Sequence, residues 1–159
     1  MSNLLNKKAP DFKLPDENGA ELSLADFKGE YILLYFYPKD MTPGCTTEAC
    51  ELRNKMNELK SLSIQVLGVS ADSEQSHKKF KEKERLNFPL LSDVERKVIE
   101  AYGVWKEKSF MGKKFMGISR ESFLIDPKGV IVKHYENVKP AEHALEVIDD
   151  VKMLKDMRA

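Results

Sequence analysis

The sequence predicts an α/β fold in which a central mixed β-sheet is flanked by helices and preceded by an N-terminal β-hairpin. Two apolar, β-prone runs, at residues 31–37 and 64–69, are typical of strands buried on both faces. A helical pattern separates them, and this alternation implies a parallel centre for the sheet. The strong turn signal Asp-Pro-Lys-Gly at residues 126–129 adds an antiparallel pair of strands.

The N-terminal hairpin is predicted from the pair Asn18-Gly19, which lies between two segments of alternating apolar residues. The alternating residues are Phe12, Leu14, Leu22 and Leu24. Residues 1–9 are expected to be loosely ordered. Residues 25–29 are expected to form a short turn before the first buried strand.

Residues 43–60 are predicted to form a long helix. Thr42 precedes a proline and is pushed out of the helical region, which suits an N-cap. Pro43 suits the first helical position, where a missing N–H costs nothing. Apolar side chains then recur at helical spacing and define one buried stripe. They are Cys45, Ala49, Leu52, Met56 and Leu59.

The later elements are predicted from caps, periodicity and turn residues. They are a polar helix from Ser73 or Ser76 to about residue 84, an extended piece at 88–91, a helix over 94–102 capped by Ser92 or Asp93, a Lys- and Gly-rich loop over 105–117, strands over 118–125 and 130–135, and a last helix from Pro140 to about residue 154.

The composition favours a single domain over residues 1–159 with no general affinity for nucleic acid or acidic membranes. Lys+Arg and Asp+Glu both number 26, so the formal net charge is zero. The sequence has no apolar run near the roughly 20 residues that span a bilayer, and its first residues lack the apolar core of a secretion signal. A cytoplasmic location is therefore expected.

The two cysteines, Cys45 and Cys50, mark the most informative stretch of the chain. In a reducing cytosol, a cysteine pair is more often catalytic or redox-active than a permanent crosslink. The predicted cap places Cys45 in the first turn of the long helix, where unpaired backbone N–H groups and the positive end of the helix dipole meet. A thiol in that place is biased toward the reactive thiolate.

Three interpretations of the pair remain open. A metal site would need further ligands, because Cys-x4-Cys supplies only half of a zinc or iron–sulfur site, and His77, His134 and His143 are scattered in the sequence. Two inert buried cysteines are the second interpretation, because free cysteine is often buried and Cys45 fits the apolar stripe. The helix start argues against this interpretation for Cys45, whereas local evidence leaves it open for Cys50. In the third interpretation Cys45 attacks an electrophile and Cys50 resolves the product.

The spacing of the cysteines makes the redox interpretation specific. Five helical residues rotate about 500° and rise about 7.5 Å, which separates the two Cα atoms by about 8.6 Å. This exceeds the roughly 7 Å limit for a disulfide, so a Cys45–Cys50 bond requires the first helical turns to unwind. A Cys-x-x-Cys pair closes without that change. The longer spacing favours a Cys45 that reacts alone to sulfenic acid, and a peroxide is the simplest oxidant for that step.

Four further residues are candidates for the site, each with a plain structural alternative. Thr42 can donate or accept near the sulfur, or serve only as a cap. Gly44 lets a small substrate approach backbone N–H groups, or only adds loop flexibility. Arg120 would stabilise the thiolate and the departing oxygen, or be a solvated residue at a strand end. Glu48 could hold Arg120, or be an exposed helix acid.

Residues 37–50 closely resemble the active-site motif of the peroxiredoxins, in particular the peroxiredoxin Q type, also called bacterioferritin comigratory protein. The family pattern Pro-x-x-x-Thr-x-x-Cys is met by Pro38, Thr42 and Cys45, and the second cysteine of the subgroup by Cys50. Further matches follow in the right order and cover almost the whole chain. They lie at residues 9–12, 69–72, 88–93 and 120–126.

The resemblance implies a thioredoxin-like fold and the reduction of hydrogen peroxide and organic hydroperoxides. Cys45 would be the peroxidatic and Cys50 the resolving cysteine, joined in an intramolecular disulfide. Thr42 and Arg120 would support them, and Pro38 would shape the loop and shield the thiol. The resemblance also implies thioredoxin as the usual reductant, no need for metal, haem or flavin, and often a monomer.

Two alternatives from other classes remain. A protein disulfide reductase would reduce insulin-like disulfides. A non-enzymatic redox sensor would consume peroxide stoichiometrically and pass the oxidation to a partner.

Overall fold

A computed structural model describes residues 4–158, with the side chain of Arg158 excepted. The strands are β1 (Lys13–Pro15), β2 (Glu21–Ser23), β3 (Tyr31–Phe36), β4 (Ile64–Ser70), β5 (Leu90–Ser92), β6 (Trp105–Phe110), β7 (Lys113–Ile118), β8 (Glu121–Ile125) and β9 (Ile131–Tyr135). The α-helices are α1 (Pro43–Asn54), α2 (Met56–Ser61), α3 (Glu74–Glu84), α4 (Lys97–Ala101) and α5 (His143–Arg158).

The central sheet has the strand order β5-β4-β3-β8-β9. Strands β3, β4 and β5 run parallel, whereas β8 pairs antiparallel with both β3 and β9. Strands β1 and β2 form a separate antiparallel hairpin. The predicted mixed sheet and N-terminal hairpin are therefore confirmed.

Both faces of the sheet are covered, as predicted. One apolar cluster joins side chains of β3, such as Leu33 and Tyr35, to the buried stripe of α1 and α2 and to the inner face of α5. A second cluster joins the opposite face of β3, such as Leu34 and Phe36, to α4. Every residue of β3 is buried, because it lies at the centre of the sheet between these two layers.

The predicted loop at 105–117 is wrong, since this segment forms the β6–β7 hairpin. Its two-residue turn, Met111-Gly112, has positive φ at both positions, of 53° and 80°. Such a turn normally carries Asn-Gly or Asp-Gly, so the sequence signal is weak. The hairpin is mostly exposed on both faces, so no apolar alternation marks its strands either.

Several predicted boundaries also change. The long helix is interrupted at Lys55, whose ψ of 9° separates α1 from α2 while the apolar stripe continues. Helix α5 begins at His143, because Pro140 lies in the preceding turn. The helix predicted over 94–102 is shortened to α4, although the Asp93 carboxylate does accept the backbone N–H of Ile99.

Residues 4–9 are more ordered than predicted. The backbone N–H of Asn6 donates to Ile131, and that of Ala9 donates to Gly129, so this segment is fixed along the start of β9. Residues 1–3 of the prediction lie outside the described part of the chain. Among residues 4–158, no helix is long and apolar enough to cross a membrane.

Candidate active site

The candidate nucleophile lies just beyond the C-terminal end of β3, where α/β sheets collect their reactive groups. A short loop, residues 37–42, joins this strand to α1. Thr42 is the N-cap, with extended φ and ψ of −89° and 155°, and Pro43 is the first helical residue. Cys45 is therefore in the first turn, as predicted, and its side chain is buried with 2% exposure.

Arg120 contacts the sulfur, as the sequence analysis proposed. Strand β8 pairs with β3 so that Glu121 lies opposite Phe36, which puts the preceding residue at the end of β3. Nη2 of Arg120 lies 3.4 Å from Sγ of Cys45. Nη2 therefore faces the sulfur as a cationic hydrogen-bond donor.

Glu48 holds the other side of the guanidinium. Nη1 of Arg120 donates to Oε1 of Glu48 at 2.7 Å, so the side chain bridges acid and sulfur. Burial raises the pKa of Glu48 from 4.5 to about 7, although the charge of Arg120 opposes this. The carboxylate is wholly buried and Arg120 is one-fifth exposed, so burial penalises the acid more than the base. The exposed-acid alternative for Glu48 is wrong.

Gly44 provides the space for this arrangement. A Cβ atom at Gly44 would lie 2.9 Å from Nη2 of Arg120. The guanidinium therefore lies directly over the first turn of α1. A side chain at this position would displace Arg120 rather than strain the backbone.

Thr42 and Pro38 both lie in the loop before α1. The Thr42 hydroxyl donates to the carbonyl of Lys39 at 2.8 Å, so its proton is engaged and its oxygen lone pairs are free to accept. Thr42 thus caps the helix by its backbone conformation, without a side-chain bond to the helix N–H groups. Pro38 is half-buried in the same loop.

Cys50 lies on the same helix in a different environment. Its thiol donates to Oε1 of Glu84 at 3.5 Å and is partly exposed. Burial raises the pKa of the Cys50 thiol, and the bond to Glu84 adds to this, while Arg53 opposes it. Both cysteines are free in this structure. These contacts favour the neutral thiol form of Cys50.

Two groups near the sulfur were not identified as candidates for the site from the sequence. Lys108 on β6 is close enough to the site that burial, and then the charge of Arg120, lower its pKa, while Cys45 opposes this. It was missed because its segment was predicted to be a loop. Among residues 4–158, neither the buried hydroxyl of Tyr35 nor the buried Oε2 of Glu48 has a hydrogen-bond partner. Burial raises the pKa of Tyr35, and Glu48 and Cys45 raise it further.

One of the three histidines that are scattered in the sequence lies close to other possible metal ligands in the fold. His77 lies beside Asp40 and Asp72, with ligand-type atoms within 4.8 Å of one another. These atoms are engaged in internal hydrogen bonds. Neither cysteine belongs to this cluster, so it does not support the interpretation of the cysteine pair as a metal site.

Comparison with known families supports the motif match. Residues 5–134 match the AhpC/TSA family. The chain is 49% identical over 153 residues to peroxiredoxin Bcp of Bacillus subtilis, which covers 96% of each chain. It is 53% identical over 135 residues to peroxiredoxin Bcp of Escherichia coli K12, which covers 85% of this chain and 86% of that one.

Solved structures give the same result and confirm the thioredoxin-like fold. The chain is similar to bacterioferritin comigratory protein of Xanthomonas campestris, studied for its alkyl peroxide reduction activity, with a TM-score of 0.84, 38% identity, and coverage of 89% and 90% of the two chains. It is also similar to a cysteine-to-serine variant of PrxQ from Xylella fastidiosa, with a TM-score of 0.88, 35% identity, and coverage of 98% and 96%.

Proposed function

We propose, for a chain that belongs to the AhpC/TSA family of peroxiredoxins and is therefore a thiol-dependent peroxidase, that Cys45 is the peroxidatic cysteine and Cys50 the resolving cysteine. One observation carries this assignment: the Arg120 guanidinium lies 3.4 Å from Sγ of Cys45 at the start of α1. Cys50 instead donates a hydrogen bond to the carboxylate of Glu84.

The first step is attack of the Cys45 thiolate on one oxygen of the peroxide. A sulfur–oxygen bond forms as the oxygen–oxygen bond breaks, and the leaving hydroxide or alkoxide takes a proton to become water or an alcohol. Arg120 stabilises the negative charge as it moves from sulfur to the departing oxygen. The hydroxyl oxygen of Thr42 accepts a hydrogen bond from the peroxide O–H. Pro38 limits the access of solvent to the sulfur. Cys45 is left as a sulfenic acid.

The second step is resolution by Cys50. Its sulfur attacks the sulfenic sulfur, water leaves, and an intramolecular disulfide forms. Both cysteines lie in the continuous helix α1, so this step requires the helix to unwind locally. An external dithiol protein then reduces the disulfide and returns both thiols.

The proposed substrates are hydrogen peroxide and organic hydroperoxides, and the proposed reductant is thioredoxin or a similar dithiol protein. The Xanthomonas relative was studied for its alkyl peroxide reduction activity, which supports organic hydroperoxides as substrates. We also propose that the protein is a cytoplasmic monomer. Analytical ultracentrifugation and cell fractionation test these last two points.

The roles are tested by peroxide consumption coupled to thioredoxin, thioredoxin reductase and NADPH. Wild type should turn over steadily, Cys45→Ser should be inactive, and Cys50→Ala should consume about one equivalent and stop. Normal turnover of Cys50→Ala with thioredoxin would contradict the resolving role. Stoichiometric loss of peroxide by the wild type would indicate a sensor, and reduction of insulin without peroxide a disulfide reductase.

A further inference from the structure

A buried chain of hydrogen bonds joins the loop before α1 to helix α3. The Tyr37 hydroxyl donates to Oδ1 of Asp40 at 2.6 Å. Oδ2 of the same carboxylate accepts the Ser76 hydroxyl at 2.8 Å and lies 2.7 Å from Nδ1 of His77. His77 has no exposed surface and Asp40 only 4%. The peroxidase chemistry described above uses none of these groups.

The partners of His77 fix the orientation of its ring. Nε2 lies 3.0 Å from the carbonyl oxygen of Leu91, which can only accept, so Nε2 carries a hydrogen. Nδ1 lies 2.7 Å from Oδ2 of Asp40, so a second hydrogen bond joins the ring to this carboxyl group. The carboxyl group also receives the hydroxyl donors of Tyr37 and Ser76. His77 and Asp40 thus form a buried, hydrogen-bonded pair.

Polar groups from several elements surround this pair. Tyr37 comes from the loop after β3, Ser76 from α3, and the Leu91 carbonyl from β5. A further carboxylate, that of Asp72, accepts the backbone N–H of Asp40 at 2.9 Å and the Ser70 hydroxyl through Oδ2. Asp40 is thus fixed by its side chain and its backbone at once.

The position of Asp40 in the chain gives this pair a function. It lies between Pro38 and Thr42, within the loop that sets the approach to Cys45. The next residue, Met41, has a φ of 62°, a left-handed conformation that is uncommon for a non-glycine residue. The hydrogen bonds to Asp40 hold the residue directly before this turn of the backbone.

We propose that Asp40 and His77 are positioning residues that fix the loop of residues 37–42 beside the sulfur. The pair lies outside α1, so it also remains in place when that helix unwinds for the disulfide and serves as the fixed point from which the helix re-forms. This inference rests on the proposed peroxidase function. It gives Asp40 and His77 a role in the peroxidase reaction, although neither residue contacts the peroxide or the sulfur.

Variants separate this role from a general structural one. Asp40→Asn and His77→Asn should slow the oxidation of Cys45 by hydrogen peroxide between about 10-fold and 100-fold, because small misplacements cost this much. The rate at which dithiothreitol reduces the disulfide should stay within about twofold. Ser76→Ala is the matched control, since it removes one neutral donor to the same carboxylate oxygen and should slow oxidation by no more than about fivefold. Equal effects of all three variants, or wild-type oxidation rates in folded Asp40→Asn and His77→Asn, would overturn the proposal.

A measurement on the wild type tests the proposed role of Asp40 and His77 even if a variant fails to fold. Imidazole ¹⁵N spectra, with His77 assigned through its contacts to Tyr37, should show the same hydrogen-bonded Nδ1 and Nε2 signals in the reduced and in the disulfide form. Loss of either signal in either form would overturn the proposal. If Cys45 of the wild type does not react with peroxide, the proposed function is refuted. The ¹⁵N spectra do not depend on that reaction, so the two failures can be distinguished.

Discussion

Gly44 and Arg120 are in such close contact that a Cβ atom on the glycine would lie 2.9 Å from Nη2 of the arginine. The same nitrogen lies 3.4 Å from the Cys45 sulfur. From the sequence alone, Gly44 is predicted to serve substrate approach or loop flexibility. The contact gives it another role, which is to leave room for the cation over the first turn of α1.

Gly44→Ala should therefore impair chemistry without impairing the fold. Alanine is the better helix former, so the free energy of unfolding should stay within about 1 kcal/mol of the wild type. The displaced guanidinium should slow the oxidation of Cys45 by at least about tenfold. Rapid-quench thiol titration and urea unfolding measure the two quantities. Thr47→Ala, an exposed change in the same helix, is the control, and an unchanged oxidation rate in Gly44→Ala would contradict the assigned role.

Arg120→Lys should lose most of the rate despite keeping the charge. A single ammonium cannot reproduce the two-sided contact of the guanidinium with Glu48 and the Cys45 sulfur. We expect peroxide oxidation to slow by about 100-fold, the usual cost of losing one such donor. A lysine variant with the wild-type rate constant would show that charge alone is sufficient.

Arg120→Met should in addition destabilise the protein, because it leaves the buried Glu48 without its partner. Adding Glu48→Gln should recover stability but not activity. Thermal unfolding and the peroxide oxidation rate of the single and double variants test both halves of this expectation. Recovery of activity in the double variant would mean that Arg120 serves only to neutralise Glu48.

Glu48→Gln should remove one component of the pH dependence of stability. Because burial raises the pKa of Glu48 from 4.5 to about 7, the unfolded chain loses this proton at a lower pH than the folded protein. The free energy of unfolding therefore falls as the pH rises through this window, by up to about 3 kcal/mol from this group. Urea unfolding of the reduced proteins at about pH 5 and about pH 8 should show a larger loss for the wild type than for the variant. Equal losses would contradict this account of the site.

Disulfide formation should melt the first turns of α1. Hydrogen exchange across Pro43–Asn54 should accelerate on oxidation of the wild type, and helical circular dichroism should fall. Cys50→Ser is the control, because its Cys45 can reach the sulfenic acid but cannot form the bond. An oxidised wild type with α1 protected through Cys50 would refute the required unwinding.

The sequence was most informative where local chemistry decides the structure. Thr42 and Pro43 predicted the start of α1, and the apolar runs predicted β3 and β4. The placement of Arg120 beside Cys45 came from the residues and from the family resemblance together. These features depend on short-range signals or on a recognisable motif.

What the sequence did not reveal depends on contacts between distant segments. Asp40 and His77 are 37 residues apart, and neither lies in a spacing that marks a pair. The β6–β7 hairpin escaped prediction because its turn is Met111-Gly112 and its strands are polar and exposed. Lys108 was missed with it. The break at Lys55 was missed because the apolar stripe continues across it.

The central claim is that Cys45, beside Arg120, is the group that peroxide oxidises. The most direct measurement treats reduced Cys50→Ala with one equivalent of hydrogen peroxide in the presence of dimedone and maps the labelled peptide by mass spectrometry. The account predicts stoichiometric label on Cys45 and none on Cys45→Ser under the same conditions. An unlabelled Cys45, or a wild type whose Cys50 is labelled instead, would contradict it.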